Sequence, residues 1–152
     1  MFTTPLSIVT ALSESPKKEG LLVVGTDDGN VQITEDGGTN WRKIETFPGV
    51  PEHTYVTDVL ASPRDSNVVF VTLNNYLRGD FKPYVMKSGD RGRTWTSASG
   101  DLPQRSGAWS IVQDDVNGSL LFAGMELGVY FTTDGGARWV QLKEGILQLL
   151  AK

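Results

Sequence analysis

ITEDGGTNW at Ile33–Trp41 is answered by KSGDRGRTW at Lys87–Trp95 and FTTDGGARW at Phe131–Trp139. In each segment a Ser or Thr is followed by Asp two residues later, Gly four later and Trp seven later. The sets are Thr34/Asp36/Gly38/Trp41, Ser88/Asp90/Gly92/Trp95 and Thr132/Asp134/Gly136/Trp139. Three coincident four-residue matches in one chain mark an internal repeat, and a repeat decides the architecture before any single element does.

The chemistry of this spacing is turn chemistry. A short-chain Asp accepts hydrogen bonds from backbone N–H groups two or three residues on, and a Ser or Thr hydroxyl does the same more weakly. Gly supplies the positive φ of a tight hairpin. The Trp then opens the next strand and buries a large flat surface. Since the same residues recur in equivalent places, they read as a hairpin staple and not as the carboxylates of one active site.

Working outward, the apolar runs LLVVGT (21–26), VVFVTL (68–73) and LLFAGM (120–125) precede the three turns and read as buried strands. Further upstream, IVTALSESP (8–16) and VTDVLASP (56–63) share Val-Thr, the Leu12/Val59 position and a terminal Ser-Pro. WSIVQDD (109–115) keeps the apolar pattern without the Pro. Each unit is therefore strand A, strand B, strand C ending in the turn, and strand D starting at its Trp. Four antiparallel strands in about 45 residues make one propeller blade. The expected fold is all-β: a single domain of three four-stranded blades, about 5–49, 53–102 and 106–145, with a short C-terminal tail. A β-sandwich with the same strand number would not explain the repeat.

The pattern resembles the Asp-box (BNR) repeat of sialidases, xyloglucanases, sortilin-type receptors and photosystem assembly factors, and the resemblance covers nearly the whole chain. It implies a propeller, often in secreted proteins. The arginine cluster that sialidases use is not matched. Arg91, Arg93 and Arg138 sit in the box turns, Arg42 follows a box Trp, and Arg64 lies in an A–B turn. Only Arg78 and Arg105 can reach the opposite face. Xyloglucanase-type chemistry needs two carboxylates facing each other across a sugar. Asp58, on the innermost strand, Asp80 and Glu126 are the candidates near that face, but three blades do not build a long cleft, so no catalytic residue is assigned.

Composition narrows the rest. With 14 basic and 18 acidic residues, net charge −4, no basic stripe offers itself to nucleic acid or an anionic membrane. The start, MFTTPLSIVT, lacks a signal peptide's basic n-region and long apolar stretch. With no Cys and one His, no metal or cofactor site is expected. Asp27, Asp28 and Asn30 in GTDDGN read as a two-residue hairpin turn and not as a calcium loop. Compartment is not decided by these residues.

Function is expected where the repeat is broken. Alternate connections of an antiparallel meander reach opposite ends, so the box turns share one face with the A–B turns. The B–C and D–A connections share the other. Aligning Gly25, Thr72 and Gly124 with Val31, Val85 and Val129 gives steps of 6, 13 and 5, so blade 2 carries about seven or eight extra residues in NNYLRGDFKPY (74–84). Tyr76, Arg78, Asp80, Phe81 and Tyr84 there, together with Asp58, His53 and Arg105, are the candidate ligand contacts. The D–A connections add Glu52, Tyr55, Gln104 and Trp109. The expected role is a non-catalytic binding or assembly module for a protein or glycan; the alternative is a fragment of a glycoside hydrolase. Three blades also leave two open edges, closed either by further blades or by self-association, with a dimer favoured. The apolar Ile146, Leu147, Leu149 and Leu150 suggest a tail at a subunit edge.

Overall fold

The computed structural model describes residues 7–143. The C-terminal tail, Gly145 and the start of the first unit at Pro5 lie outside the described residues.

Twelve strands form three four-stranded antiparallel sheets, each a simple meander. Sheet 1 contains β1 (Val9–Glu14), β2 (Leu22–Thr26), β3 (Val31–Thr34) and β4 (Arg42–Ile44). Sheet 2 contains β5 (Tyr55–Ala61), β6 (Val69–Asn75), β7 (Asp80–Ser88) and β8 (Thr96–Ser97). Sheet 3 contains β9 (Ala108–Gln113), β10 (Leu121–Met125), β11 (Gly128–Thr132) and β12 (Val140–Gln141). The register pairs Gly25 with Val31, Thr72 with Val85 and Gly124 with Val129, as the repeat alignment requires.

The repeat turns join the third and fourth strands of each sheet, and their bonding reaches further than expected, although Asp134 also accepts the Ala137 N–H three residues on. The Asp carboxylate reaches the N–H four residues on: Asn40 to Asp36 at 2.9 Å, Thr94 to Asp90 at 2.8 Å and Arg138 to Asp134 at 3.0 Å. The hydroxyl is no weaker partner. Thr34, Ser88 and Thr132 each donate to that carboxylate and accept the N–H of Gly38, Gly92 or Gly136. Each Trp indole N–H then donates to the carbonyl of the turn glycine. All four signature residues are thus bonded to one another.

The core is two layers between sheets. Leu21, Val23, Val31, Ile33 and Phe47 of the first unit meet Val56, Val59, Val71, Met86 and Trp95 of the second. Phe70, Val85, Ala98 and Leu102 meet Ile111, Leu121, Ala123 and Trp139 of the third. Each inner strand also carries a bulge at the same place, skipping Thr10, Thr57 and Trp109. A bulge re-aims a side chain. Thr10 donates across to the Val56 carbonyl at 2.6 Å and Thr57 to the Ala108 carbonyl at 3.1 Å, tying each sheet to the next.

One expectation is corrected and one segment gains a conformation. The Asp27–Asn30 turn is a three-residue loop, because Thr26 N–H bonds the Asn30 carbonyl and Gly29 takes the left-handed φ of 88°. The extra residues of the second unit form a long hairpin. They lengthen the hairpin by paired strand and close it with a single 3-10 turn, Tyr76–Arg78, ended by Gly79 at φ 75°.

Candidate functional site

The repeat turns and the A–B turns do share one end: Arg91 N–H bonds the Asn67 carbonyl and Gly135 N–H that of Ser119. The lengthened hairpin of sheet 2 stands at the other end, where it meets the linker from sheet 1. Arg78 makes that junction. Its Nε donates to Asn75 Oδ1 at 2.6 Å, and its Nη2 donates to the Glu52 carbonyl at 2.6 Å and to Thr54 Oγ1 at 3.2 Å. A groove of about 250 Å³ lies beside it, lined by Asp27, His53, Tyr55, Asn74, Asn75, Leu77 and Arg78. His53 holds a φ of 61°, with Nδ1 3.3 Å from the Asp28 carbonyl. It packs over Gly29, where a Cβ would come within 2.8 Å of its Cα.

Aromatic surface borders the hairpin. Tyr76, 41% exposed, tilts against Trp109, 39% exposed, with ring centroids 5.5 Å apart. Leu77 beside them is exposed as well. Trp109 sits at the bulge that Thr10 and Thr57 occupy in the other sheets, so a bond between sheets gives way to an aromatic contact on the outer surface.

Of the residues expected to make the site, His53 and Arg78 line the groove and Tyr76 lies on its aromatic border. Tyr84 does not contribute, because it is buried between sheets 1 and 2. Asp80 turns inward to it, accepting the Tyr84 hydroxyl, Asn75 Nδ2 and Lys82 N–H. Desolvation opposes ionisation of Asp80, but these bonds outweigh it and hold its carboxyl below the usual range. Burial and the Asp80 carboxylate push the Tyr84 phenol up. Asp58 is not at this end either. It lies three residues along β5 from Tyr55, roughly 10 Å at 3.3 Å per residue, and accepts the Ile111 N–H at 3.0 Å. Burial raises its pKa. Phe81 and Arg105 are exposed but do not line the groove.

Tyr55 and Trp109, expected at this end from the D–A connections, lie in the groove and on its aromatic border, whereas Leu77, Asn74 and Asn75 were not singled out by the sequence. Trp109 had a signal: it breaks a Thr/Thr match in the repeat. The asparagines had none, since their role depends on the hairpin being paired. Among the described residues no group of three or more His, Cys, Asp or Glu is placed to hold a metal. No described helix is long and apolar enough to cross a membrane.

This arrangement of meanders is shared with solved structures. An ancestral GH74 enzyme superposes with a TM-score of 0.67 at 23% identity, over 88% of this chain and 18% of its own. YCF48 from Cyanidioschyzon merolae gives 0.66 at 17% identity, over 92% and 38%. YCF48 bound to D1 peptide gives 0.69 at 17% identity, over 95% and 44%. The three sheets are propeller blades. At these identities the likeness is one of fold, and the chain spans less than half of each of these neighbours. No family model and no curated protein matches the sequence.

Proposed function

We propose that the chain is a non-catalytic binding module of an Asp-box propeller, presenting the Tyr76–Trp109 face and the groove beside Arg78 to an extended protein segment. The observation that carries this reading is the exposed aromatic pair next to a polar groove whose charged groups are already engaged. Arg78 is bound to the linker, and Asp27 in the groove accepts the Ile8 N–H. Such a surface offers stacking and main-chain hydrogen bonding. Support for a peptide comes from the structural neighbour YCF48, which is bound to a peptide.

The second reading, a fragment of a glycoside hydrolase, is favoured by the raised pKa of Asp58 and by the GH74 neighbours. A raised carboxyl suits a general acid, but hydrolysis needs a second carboxylate across a sugar. Asp80 is committed elsewhere.

Binding of a peptide library and of xyloglucan oligosaccharides to the immobilised chain separates the readings. Peptide binding lost in Trp109→Ala and Tyr76→Ala, with no sugar hydrolysis, is the expected result. Binding untouched by both substitutions removes this face from consideration.

A further inference from the structure

The asparagines of the chain are Asn30, Asn40, Asn67, Asn74, Asn75 and Asn117, and Asn117 alone is followed by glycine. It is exposed, in the turn from Asp114 to Leu120 that joins β9 to β10. Its side-chain Oδ1 accepts the Ser119 N–H at 3.0 Å, and its carbonyl accepts the Leu120 N–H at 3.0 Å. Such an Asx turn folds the side chain back over the peptide that follows it. Its own N–H is fixed on Asp114 Oδ2 at 2.6 Å. Among the described residues no acceptor takes the Gly118 N–H, and none takes the Asn117 Nδ2.

The other five asparagines differ on both counts. Their successors, Val31, Trp41, Val68, Asn75 and Tyr76, all carry side chains that crowd the following nitrogen. The Nδ2 groups of Asn30, Asn40 and Asn75 donate to Asp28, Asp36 and Asp80 at 3.2, 2.8 and 3.2 Å. Asn74 is buried and donates to the Ala108 carbonyl at 3.4 Å. After Asn67, the Val68 N–H is bonded to the Asp65 carbonyl at 3.1 Å.

We propose that Asn117 is a modification site, deamidated without an enzyme by attack of the Gly118 amide nitrogen on its side chain. The Gly118 nitrogen forms a bond to Asn117 Cγ, the Cγ–Nδ2 bond breaks, and the Gly118 proton leaves with Nδ2 as ammonia. Water then opens the resulting imide ring at either carbonyl, giving aspartate or isoaspartate. Gly118 has no Cβ to hinder the approach. The Ser119 N–H stands on the oxygen that gains negative charge as the tetrahedral centre forms, which lowers that barrier. The consequence lies in how blades 2 and 3 are tied. Arg64 of blade 2 donates through Nη1 to the Asp115 carbonyl at 2.9 Å and to that of Val116. Beyond the reacting bond, the Gly118 carbonyl accepts Gln113 Nε2 at 2.9 Å, and the Ser119 carbonyl accepts the Gly135 N–H of the blade 3 box turn at 3.0 Å. Isoaspartate routes the main chain through the side chain, so the fixed spacing of consecutive Cα atoms is lost there and these two carbonyls are displaced. Aspartate leaves the main chain as it was.

The test is peptide mapping by mass spectrometry of the 152-residue chain aged in mildly alkaline buffer, with isoaspartyl methyltransferase as the probe of the iso product. Amide loss first at Asn117, methyl-accepting isoaspartate at that position, and suppression of both in Gly118→Ala are expected. A Cβ on Gly118 would stand 3.0 Å from Arg64 Nε, so circular dichroism checks that this variant folds. The comparison among the six asparagines of the wild type stands without it. The isoaspartate fraction should melt below fresh wild type, and Asn117→Asp should melt with the wild type. An intact Asn117 amide, or loss no faster there than at the other five asparagines, overturns the proposal. An isoaspartate form that melts with Asn117→Asp overturns its consequence for the tie between blades. The turn stands at the end of the blades opposite the Tyr76–Trp109 face, so neither outcome alters the Trp109→Ala binding test and the two readings fail separately.

Discussion

The Trp95 indole meets the Phe47 ring edge-on, 5.0 Å between centroids and 75° between planes, joining the turn of one blade to the linker of the blade before it. Edge-to-face pairs of this kind add to the burial of both rings. The contact explains why a Trp closes each repeat: it anchors its blade on the predecessor and not on its own sheet alone.

Trp95→Ala should therefore open a cavity costing about 3–5 kcal/mol. Trp41→Ala, whose side chain meets no preceding blade among the described residues, should cost clearly less when both are measured by urea denaturation. Equal losses would mean the indoles act only within their own turns.

Asp36 is held at about 2 chiefly by the Asn40 N–H, Asp90 at about 2 chiefly by Thr94, and Glu35 at about 2 chiefly by Arg91. Folded pKa values below the ordinary ones mean stability that is full above about pH 4.5 and lost as pH falls towards 2. Denaturation midpoints taken from pH 6 to pH 2 should fall in that window. Asp36→Asn should flatten part of the decline.

Asp58 titrates with the opposite sign. Burial raises its pKa, so the ionised form costs stability at neutral pH and protonation relieves it. Asp58→Asn keeps an oxygen for the Ile111 N–H and removes the charge. Its melting temperature should equal or exceed wild type at pH 7, with any gain shrinking as pH falls. A loss of several degrees at pH 7 would show that the charged carboxylate itself holds blade 3.

Gly92→Ala should destabilise more than Gly37→Ala. Both glycines have positive φ, but a Cβ on Gly92 would collide with Ile33, whereas nothing lies within 4 Å of one on Gly37. Thermal melts of the pair separate backbone strain, common to both, from contact between blades, present in one.

The repeat made the blades legible, because Thr34, Asp36, Gly38 and Trp41 recur where hydrogen bonds and not side-chain identity set the spacing. The hairpin insertion at 74–84 was legible as extra length. Its conformation was not, since pairing of Asn75 with Asp80 arises from the register of β6 and β7. Tyr84 and Asp80 looked like ligand groups because a polar sequence in a lengthened connection carries no sign of which side chains turn inward. Trp109 was expected at this end from its D–A connection, but the bulge that exposes it is invisible in a strand's alternating pattern.

That bulge has a consequence for how such a protein can change. At Thr10, Thr57 and Trp109 the ladder skips one residue per blade, so its side chain is released from the in-and-out alternation that constrains its neighbours. A substitution there leaves the strand pairing intact while exchanging an internal tie for an external contact. Each blade thus holds one socket whose side chain can be exchanged without redesigning the scaffold, and in the third blade an indole fills it.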